Sequence, residues 1–192
     1  MNIRKTKKSS IAGSSRHSSR NVFVAKKLNE HGLGTLLFDL LSSDEEIIDM
    51  QFATLRFDID FLAKRVMAAN LWLKREESTA DLKIGYFGAS TGAAAALVAA
   101  AEQKTNIGAI VSRGGRPDLA SKNVLRRVSA PSLFLVGAND KEVLELNQQA
   151  VKNMTTKKEL RVIPNAGHLF EEPGRLEIVA DFASRWFAMH LI

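Results

Sequence analysis

The sequence predicts an α/β protein, a three-layer α/β/α sandwich built on a mostly parallel sheet. Short apolar segments alternate with longer amphipathic ones from residue 21 to the C-terminus, the pattern of parallel strands joined by crossover helices. A small-residue turn, Gly88–Gly92, separates one of these strands from an alanine-rich helix. At 192 residues, the chain is long enough for one domain with a sizeable core.

The predicted elements follow one another with short connections. Helices are expected at Val22–Glu30, Phe57–Arg75, Ala93–Ala101 and Val143–Met154, and in a final segment that begins at Pro173. Strands are expected at Thr35–Asp39, Leu82–Phe87, Ile107–Val111, Ser132–Val136 and Leu160–Ile163. The acidic segment Ser42–Met50 is predicted to be a loop, and Ser112–Arg116 a glycine-rich turn.

The net charge of +6 is concentrated near the N-terminus, where four of the first eight residues are basic. We therefore predict a basic, flexible segment over residues 1–13 and a folded domain over residues 14–192. A basic arm can bind nucleic acid or an anionic surface. No aromatic residues interleave with these charges, so a solvated tail is the favoured interpretation and nucleic-acid binding is not expected.

The composition excludes several classes of protein. The chain contains no cysteine, which excludes disulfides, a thiolate nucleophile and cysteine-ligated zinc. No apolar run reaches the roughly 18 residues of a membrane span, and no apolar core of a secretory signal follows the first charges. We expect a cytoplasmic protein that does not bind membranes.

The turn Gly88–Gly92 reads G-A-S-T-G, which fits a nucleophile elbow with Ser90 at its tip. A serine hydroxyl is a poor nucleophile unless a histidine takes its proton and a carboxylate orients that histidine. Asp140 and His168 each follow a predicted strand. With Ser90 they occur in the chain order serine, aspartate, histidine that accompanies a nucleophile elbow. Asp140 would also serve as the N-cap of the next helix, and a loop histidine is usually only solvated.

Together these motifs resemble the α/β-hydrolase superfamily, in its dienelactone hydrolase-like group. The resemblance runs from about Ser14 to the C-terminus and rests on these stretches: Ser14–Ser18, Thr35–Leu41, Gly88–Ala96, Ser112–Leu119, Leu135–Asp140 and Pro164–Gly174. It implies Ser90 as nucleophile, His168 as general base and acid, and Asp140 as the group that orients His168. Dienelactone hydrolases proper carry cysteine at the nucleophile position, so the group's name does not identify the substrate.

The oxyanion hole needs two N–H donors. One is expected from Thr91, and the other from Ala12 or Gly13 in the loop after an earlier strand. The residues available for that strand, roughly Arg4–Lys8, carry four cations that a buried strand cannot accommodate. The chain is therefore expected to lack the N-terminal strands of this fold, through truncation or a misassigned start, unless another segment fills the gap.

Arginines in the loops near the predicted site, Arg16 and Arg113 among them, would suit a substrate carboxylate or phosphate, although exposed loop arginines are as common. The sequence favours a serine hydrolase that cleaves a small ester, thioester or lactone through an acyl-enzyme and needs no metal or organic cofactor. The alternative is a catalytically impaired remnant that acts as a binding or interaction protein. The expected partner is a small acyl substrate, and a homodimer is left open.

Overall fold

The computed structural model describes residues 8–13, 15–103 and 107–191, and these form one sheet flanked by helices. The strands are β1 Lys8–Gly13, β2 Gly34–Phe38, β3 Lys83–Ala89, β4 Ile107–Arg113, β5 Ser132–Gly137 and β6 Lys158–Ile163. The helices are α1 Ser19–Glu30, α2 Ser43–Phe52, α3 Ile59–Arg75, α4 Thr91–Gln103, α5 Lys122–Arg127, α6 Lys141–Lys152 and α7 Arg175–Leu191. Single 3₁₀ turns span Leu55–Phe57 and Pro117–Leu119.

The six strands are ordered β2-β1-β3-β4-β5-β6, and every neighbouring pair is parallel. This confirms the predicted fold class. Because all the strands run in one direction, their carboxyl ends meet at one edge of the sheet, where open α/β sheets bind ligands. The predicted nucleophile, acid and histidine all follow the carboxyl ends of strands.

Strand β1 realises one of the alternatives left open for the N-terminus, that another segment fills the gap in the sheet. It lies between β2 and β3, with Ala12 opposite Phe87 and Gly13 opposite Gly88. The strand uses Lys8–Gly13, whose residues after Lys8 are uncharged, so four cations need not enter the sheet. Residues 8–13 thus belong to the sheet rather than to the basic segment 1–13, while residues 1–7 lie outside the described part of the chain.

Helix α2 corrects a second expectation, since Ser42–Met50 was predicted to be a loop. Ser42 caps the helix: its hydroxyl accepts the Glu45 N–H, and the Glu45 carboxylate accepts the Ser42 N–H. This reciprocal capping box satisfies two N–H groups that a helix N-terminus leaves free. Three of the four acidic residues of the segment, Asp44, Glu45 and Glu46, also lie in the first turn, where the helix dipole favours negative charge.

The core has two parts, one on each face of the sheet. Helices α3 and α4 pack with Ile84, Tyr86, Ile110 and Phe134 on one face. Helices α1 and α7 cover the other face, where the alternate strand residues Phe87, Val111, Leu133 and Leu135 point. Of the helices that the structure describes, none is both long and apolar enough to cross a membrane.

Candidate active site

Ser90 lies on a tight turn between β3 and α4. Its backbone φ is +50°, in the left-handed region that non-glycine residues rarely adopt. The turn is fixed on both sides: the Ser90 N–H donates to the Arg113 carbonyl at 3.4 Å, and the Ser90 carbonyl accepts the Ala93 and Arg116 N–H groups, each at 3.1 Å. A Cβ on Gly88 would lie 2.6 Å from the Gly92 carbonyl oxygen. The helix therefore approaches the strand at a distance that only glycine permits.

Asp140 and His168 are in direct contact, with 2.7 Å between Asp140 Oδ2 and His168 Nδ1. Asp140 is also the N-cap residue of α6, yet its side chain makes no capping hydrogen bond. Of the two roles that the sequence left open for this carboxylate, the structure shows the contact with histidine. A carboxylate on Nδ1 favours the tautomer that carries its proton there, which leaves Nε2 free to accept one.

Two glycines, Gly137 and Gly114, allow the loop that contains His168 to pack closely against the edge of the sheet. A Cβ on Gly137, the last residue of β5, would lie 2.6 Å from the Gly167 carbonyl oxygen. Gly114, which follows β4 with a φ of +50°, packs against His168, whose ring atoms lie 3.5 Å from the position of an added Cβ. The imidazole is thus positioned by the backbone beside it as well as by Asp140.

Two cavities border Ser90, and Ser15 and Ala89 also line both of them. The first, about 210 Å³, also contains His168, Leu169, Arg20 and Arg113; we call it the histidine-side cavity. The second, about 190 Å³, is bordered by the first turn of α4 and by apolar residues; we call it the leucine-side cavity. It is lined by Leu40, Leu41, Leu62, Thr91 and Gly92, together with Asp39, Glu46 and Arg56.

Arg113 lines the histidine-side cavity, near the site as the sequence predicted. The sequence had placed it in the turn Ser112–Arg116. It is the last residue of β4 and is 7% exposed. One guanidinium nitrogen donates to Asn21 Oδ1 at 3.0 Å, and the plane lies 5.7 Å from the Phe87 ring. Among the described residues, its Nη1 has no hydrogen-bond partner.

The electrostatic environment of Arg113 is unfavourable for a cation. Burial lowers the pKa of its guanidinium to about 10, and the positive charge of Arg20 contributes to the same effect. No carboxylate within the described ranges forms an ion pair with Arg113, whereas Arg20 pairs with Glu171 at 2.6 Å. A buried cation with an unused donor is the arrangement expected where an anion binds.

The other predicted binding arginine, Arg16, contacts Asp39, which lines the leucine-side cavity. Arg16 is exposed at the rim, where its backbone N–H and its guanidinium both contact Asp39, at 2.6 and 3.2 Å. Arg16 is absent from the described lining of both cavities. Arg116, at the turn after β4, forms an ion pair with Asp118 at 2.8 Å.

The predicted oxyanion donors fall into two groups. Thr91 is the first residue of α4 and lines the leucine-side cavity, and the first N–H groups of a helix have no acceptor within it. Ala12 and Gly13 were expected in a loop, but they are the last two residues of β1. The loop that follows β1 reaches Ser90 through Ser15 instead.

Sequence reasoning missed Arg20 and Asn21. Both come from the first turns of α1, a helix that was predicted to begin at Val22. Arg20 lines the histidine-side cavity, and Asn21 accepts a hydrogen bond from Arg113. Both contacts depend on how α1 packs on the sheet, which the sequence does not reveal. The described parts of the chain contain no group of three or more histidine or acidic residues arranged to hold a metal ion.

Comparison with known protein families assigns the chain to one of them. The model described as the dienelactone hydrolase family matches residues 21–188. The chain belongs to the dienelactone hydrolase family. Residues 21–188 include the elbow, Asp140 and His168, so the match covers the segments on which the sequence resemblance rested, except Ser14–Ser18.

Relatives of this dienelactone hydrolase family member differ in length. A crystal structure of a dienelactone hydrolase from Anabaena variabilis is 50% identical, with a TM-score of 0.93, over 97% of this chain and 88% of that one. Est1E from Butyrivibrio proteoclasticus, at 16% identity and a TM-score of 0.79, covers 97% of this chain and 89% of its own, and shares the fold.

The curated relatives are longer. Proteins called putative phosphoribosyl transferases in two Mycobacterium tuberculosis strains are 53% identical over 180 residues, which is 94% of this chain. The chain spans about 40% of the length of these relatives.

Proposed function

We propose that the protein is a serine hydrolase that cleaves an ester, thioester or lactone through an acyl-enzyme on Ser90. The observation that carries the proposal is the contact of Asp140 with His168 Nδ1 at 2.7 Å, beside a serine at positive φ in the same cavity. The family supports hydrolysis, and the serine at the elbow supports an oxygen nucleophile.

In the proposed reaction, His168 Nε2 takes the hydroxyl proton as Ser90 Oγ attacks the substrate carbonyl. Asp140 stabilises the imidazolium that forms. The tetrahedral intermediate collapses when His168 returns the proton to the leaving oxygen or sulfur, which leaves an ester on Ser90. Water, deprotonated by His168, then attacks this ester and releases the carboxylic acid.

The negative oxygen of each tetrahedral intermediate needs hydrogen-bond donors. The Thr91 N–H at the start of α4 is one donor in this proposal, supported by its place in the leucine-side cavity and by the helix dipole. Since Ala12 and Gly13 lie within β1, we assign the second donor to the loop that contains Ser15. Such a donor typically contributes about 10²–10³ in kcat.

We further propose that Arg113 binds an anionic group of the substrate. Its Nη1 lacks a hydrogen-bond partner among the described residues, and it lines the cavity that holds Ser90 and His168. A carboxylate or phosphate there would restore the interaction that burial removes.

A serine-reactive fluorophosphonate probe tests the nucleophile directly. We expect the folded protein to be labelled on Ser90, and Ser90→Ala to abolish labelling. His168→Ala should slow it strongly, because the hydroxyl then has no base. Ser184→Ala is a matched control, since Ser184 is a buried serine on α7 that bonds within its own helix.

A catalytically impaired binding protein is the alternative, and the same experiment separates the two. Failure of well-folded protein to react with the probe, or unchanged labelling of Ser90→Ala, would favour the alternative. The name of the mycobacterial relatives describes proteins more than twice the length of the matched segment. We therefore draw this chain's activity from its own elbow rather than from that name.

A further inference from the structure

Helix α2 exposes its apolar side chains. Ile47, Ile48, Met50 and Phe52 are 49–72% exposed, whereas the one α2 residue that is fully buried is Asp49. A surface helix ordinarily does the reverse and packs its apolar face on the core. Two of these side chains, Ile47 and Met50, line a common groove, and large exposed apolar surfaces often mark binding sites.

Polar contacts hold α2 in this orientation. The Asp49 carboxylate accepts the backbone N–H of Arg56 at 3.0 Å and its guanidinium Nε at 2.5 Å. Glu45 pairs with Arg65 on α3 at 2.6 Å. The helix is fixed to the domain without using its apolar side chains, which leaves them available to a ligand.

The exposed face continues into the active site. A groove of about 570 Å³ runs along α2 and is lined by Ile47, Met50 and Ser43. It shares Leu41, Glu46 and Arg56 with the leucine-side cavity, which reaches Ser90. A single extended ligand can therefore occupy the cavity and the groove together.

The position of His168 decides which part of a substrate enters which cavity. As general acid, His168 must reach the leaving oxygen or sulfur, and it lines the histidine-side cavity. The leaving group therefore lies on that side. The acyl group then takes the other cavity that borders Ser90, between Thr91 and the leucines of the leucine-side cavity.

The charges in the α2 groove and in the histidine-side cavity support the same assignment of acyl group and leaving group. In the α2 groove, Asp49 and Arg56 neutralise each other, and Glu46 adds a negative charge. In the histidine-side cavity, Arg113 is cationic and has no acidic partner among the described residues. An anion is thus favoured on the leaving group and disfavoured at the end of the acyl chain.

We propose that the α2 groove binds an aliphatic acyl chain, and that the preferred substrate pairs such a chain with an anionic leaving group. This inference rests on the proposed function, since it assigns the substrate class of the same site. In the reaction, the bond between the acyl carbon and the leaving oxygen or sulfur breaks as the bond to Ser90 Oγ forms. The proton from Ser90 leaves with that group, and water later supplies the atoms that release the fatty acid.

The test compares acetyl and octanoyl esters of 4-hydroxybenzoate, which carries an anion, with those of its neutral methyl ester. For the wild type we expect kcat/KM to be about tenfold or more higher for octanoyl than for acetyl, a factor that two buried methylene groups would supply. We also expect the anionic leaving group to be preferred. A 4-nitrophenyl ester of octanedioate, with its anion at the far end of the acyl chain, should be a poorer substrate than 4-nitrophenyl octanoate.

Two groove variants, Met50→Glu and Ile47→Glu, should lower kcat/KM for octanoyl esters about tenfold and leave acetyl esters unchanged. Both positions are exposed, so folding should be preserved, which thermal melting checks. Met189→Glu is the matched control, since Met189 is 66% exposed on α7 and absent from the described lining of either cavity.

Three outcomes would overturn the inference. Equal rates for acetyl and octanoyl esters, with Ser90-dependent cleavage of both, would remove the acyl groove but keep the proposed hydrolase. A dimer that Met50→Glu dissociates, without any chain-length preference, would show that a second copy covers α2. Absence of any Ser90-dependent cleavage would overturn this inference and the proposed function together.

Discussion

At the scale of single residues, the contacts of Asp140 and Ser90 fix where each of them lies in the site. Asp140 could have capped α6, but its carboxylate contacts His168 instead. Ser90 is placed by backbone hydrogen bonds on both sides of its own residue. These contacts make the consequences of single substitutions specific enough to measure.

Asp140→Asn should lower kcat by about 10³–10⁴ with little change in KM, because the amide neither stabilises the imidazolium nor selects the correct tautomer. Steady-state kinetics on an acetyl ester measures both constants. Asp181→Asn makes the same chemical change in an exposed ion pair with Arg185 on α7 and should leave both constants unchanged. A similar loss in the two variants would contradict an orienting role for Asp140.

Gly88→Ala should destabilise the protein more than Gly108→Ala. A Cβ at Gly88 would meet the backbone of Ala93 and Gly92 at 2.6 Å, whereas at Gly108 the near atom is the end of the Leu191 side chain at 2.7 Å. A side-chain tip can move but a helix backbone cannot, so we expect a loss of about 1–3 kcal/mol or more at Gly88 and less at Gly108. Urea unfolding of both variants checks this, and equal losses would contradict it.

The sequence predicted the three residues of the proposed triad because each depends on local signals: a strand, a short turn and a reactive side chain. It did not predict Arg20, whose approach to the cavity depends on long-range packing of α1. Nor did it predict the ion pair of Arg16 with Asp39, which joins segments far apart in the chain. The substrate-binding role predicted for Arg16 stays a prediction.

At the scale of elements, α2 and β1 are the two that the sequence misjudged. The α2 segment has no buried apolar face, so the helical periodicity on which prediction relies is missing; only the Ser42 capping box signals a helix. For β1, the family resemblance placed the strand at Arg4–Lys8, but the strand occupies Lys8–Gly13. The small residues of Lys8–Gly13 show no strong apolar pattern, so the sequence did not reveal that the strand lies there.

The anchor of α2 leads to a prediction about pH. Burial alone would raise the pKa of Asp49, but hydrogen bonds from Arg56 outweigh it, and the pKa lies below its usual value near 3.8. The stabilisation is therefore present above the unfolded-state pKa and is lost as the pH falls through the lower folded value.

Asp49→Asn should accordingly loosen α2 at neutral pH, where hydrogen exchange of its amides would accelerate while that of α4 stays slow. The thermal stability of the variant should also depend less on acid than that of the wild type. Asp60→Asn, an exposed acid in the first turn of α3, is the control. Unchanged exchange in α2 would show that Asp49 does not anchor the helix.

At the scale of the whole molecule, the last helix covers the middle of the sheet. The Phe187 ring is fully buried and occupies the space that a Cβ on Gly85 would need, with only 2.6 Å between them. The last helix and the strand that precedes Ser90 are therefore packed as one unit. The fold class was predictable because this layered packing follows from alternating strands and helices, whereas the pairing of a particular glycine with a particular ring was not.

A double-mutant cycle measures this packing. Phe187→Ala alone should cost about 3–5 kcal/mol because it leaves a cavity, and Gly85→Ala alone about 1–3 kcal/mol because it overpacks. The double variant should be more stable than the sum predicts, by at least about 0.5 kcal/mol, since the new methyl group enters the vacated space. Chemical denaturation gives all three values. Gly108→Ala is the control, because its Cβ would meet Leu191 instead. Its loss of unfolding free energy should add to that of Phe187→Ala. Strict additivity in both cycles would contradict direct contact between Gly85 and Phe187.

The elbow leaves Ser90 a single freedom. Its N–H and carbonyl both form hydrogen bonds, which restrict the backbone and leave rotation about the Cα–Cβ bond as the main motion of the side chain. This rotation moves Ser90 Oγ along a short circular path above the turn. Replacing serine with cysteine would put a sulfur atom in place of the oxygen but would leave that path unchanged. A family could thus pass between oxygen and sulfur nucleophiles without rebuilding the scaffold that aims them.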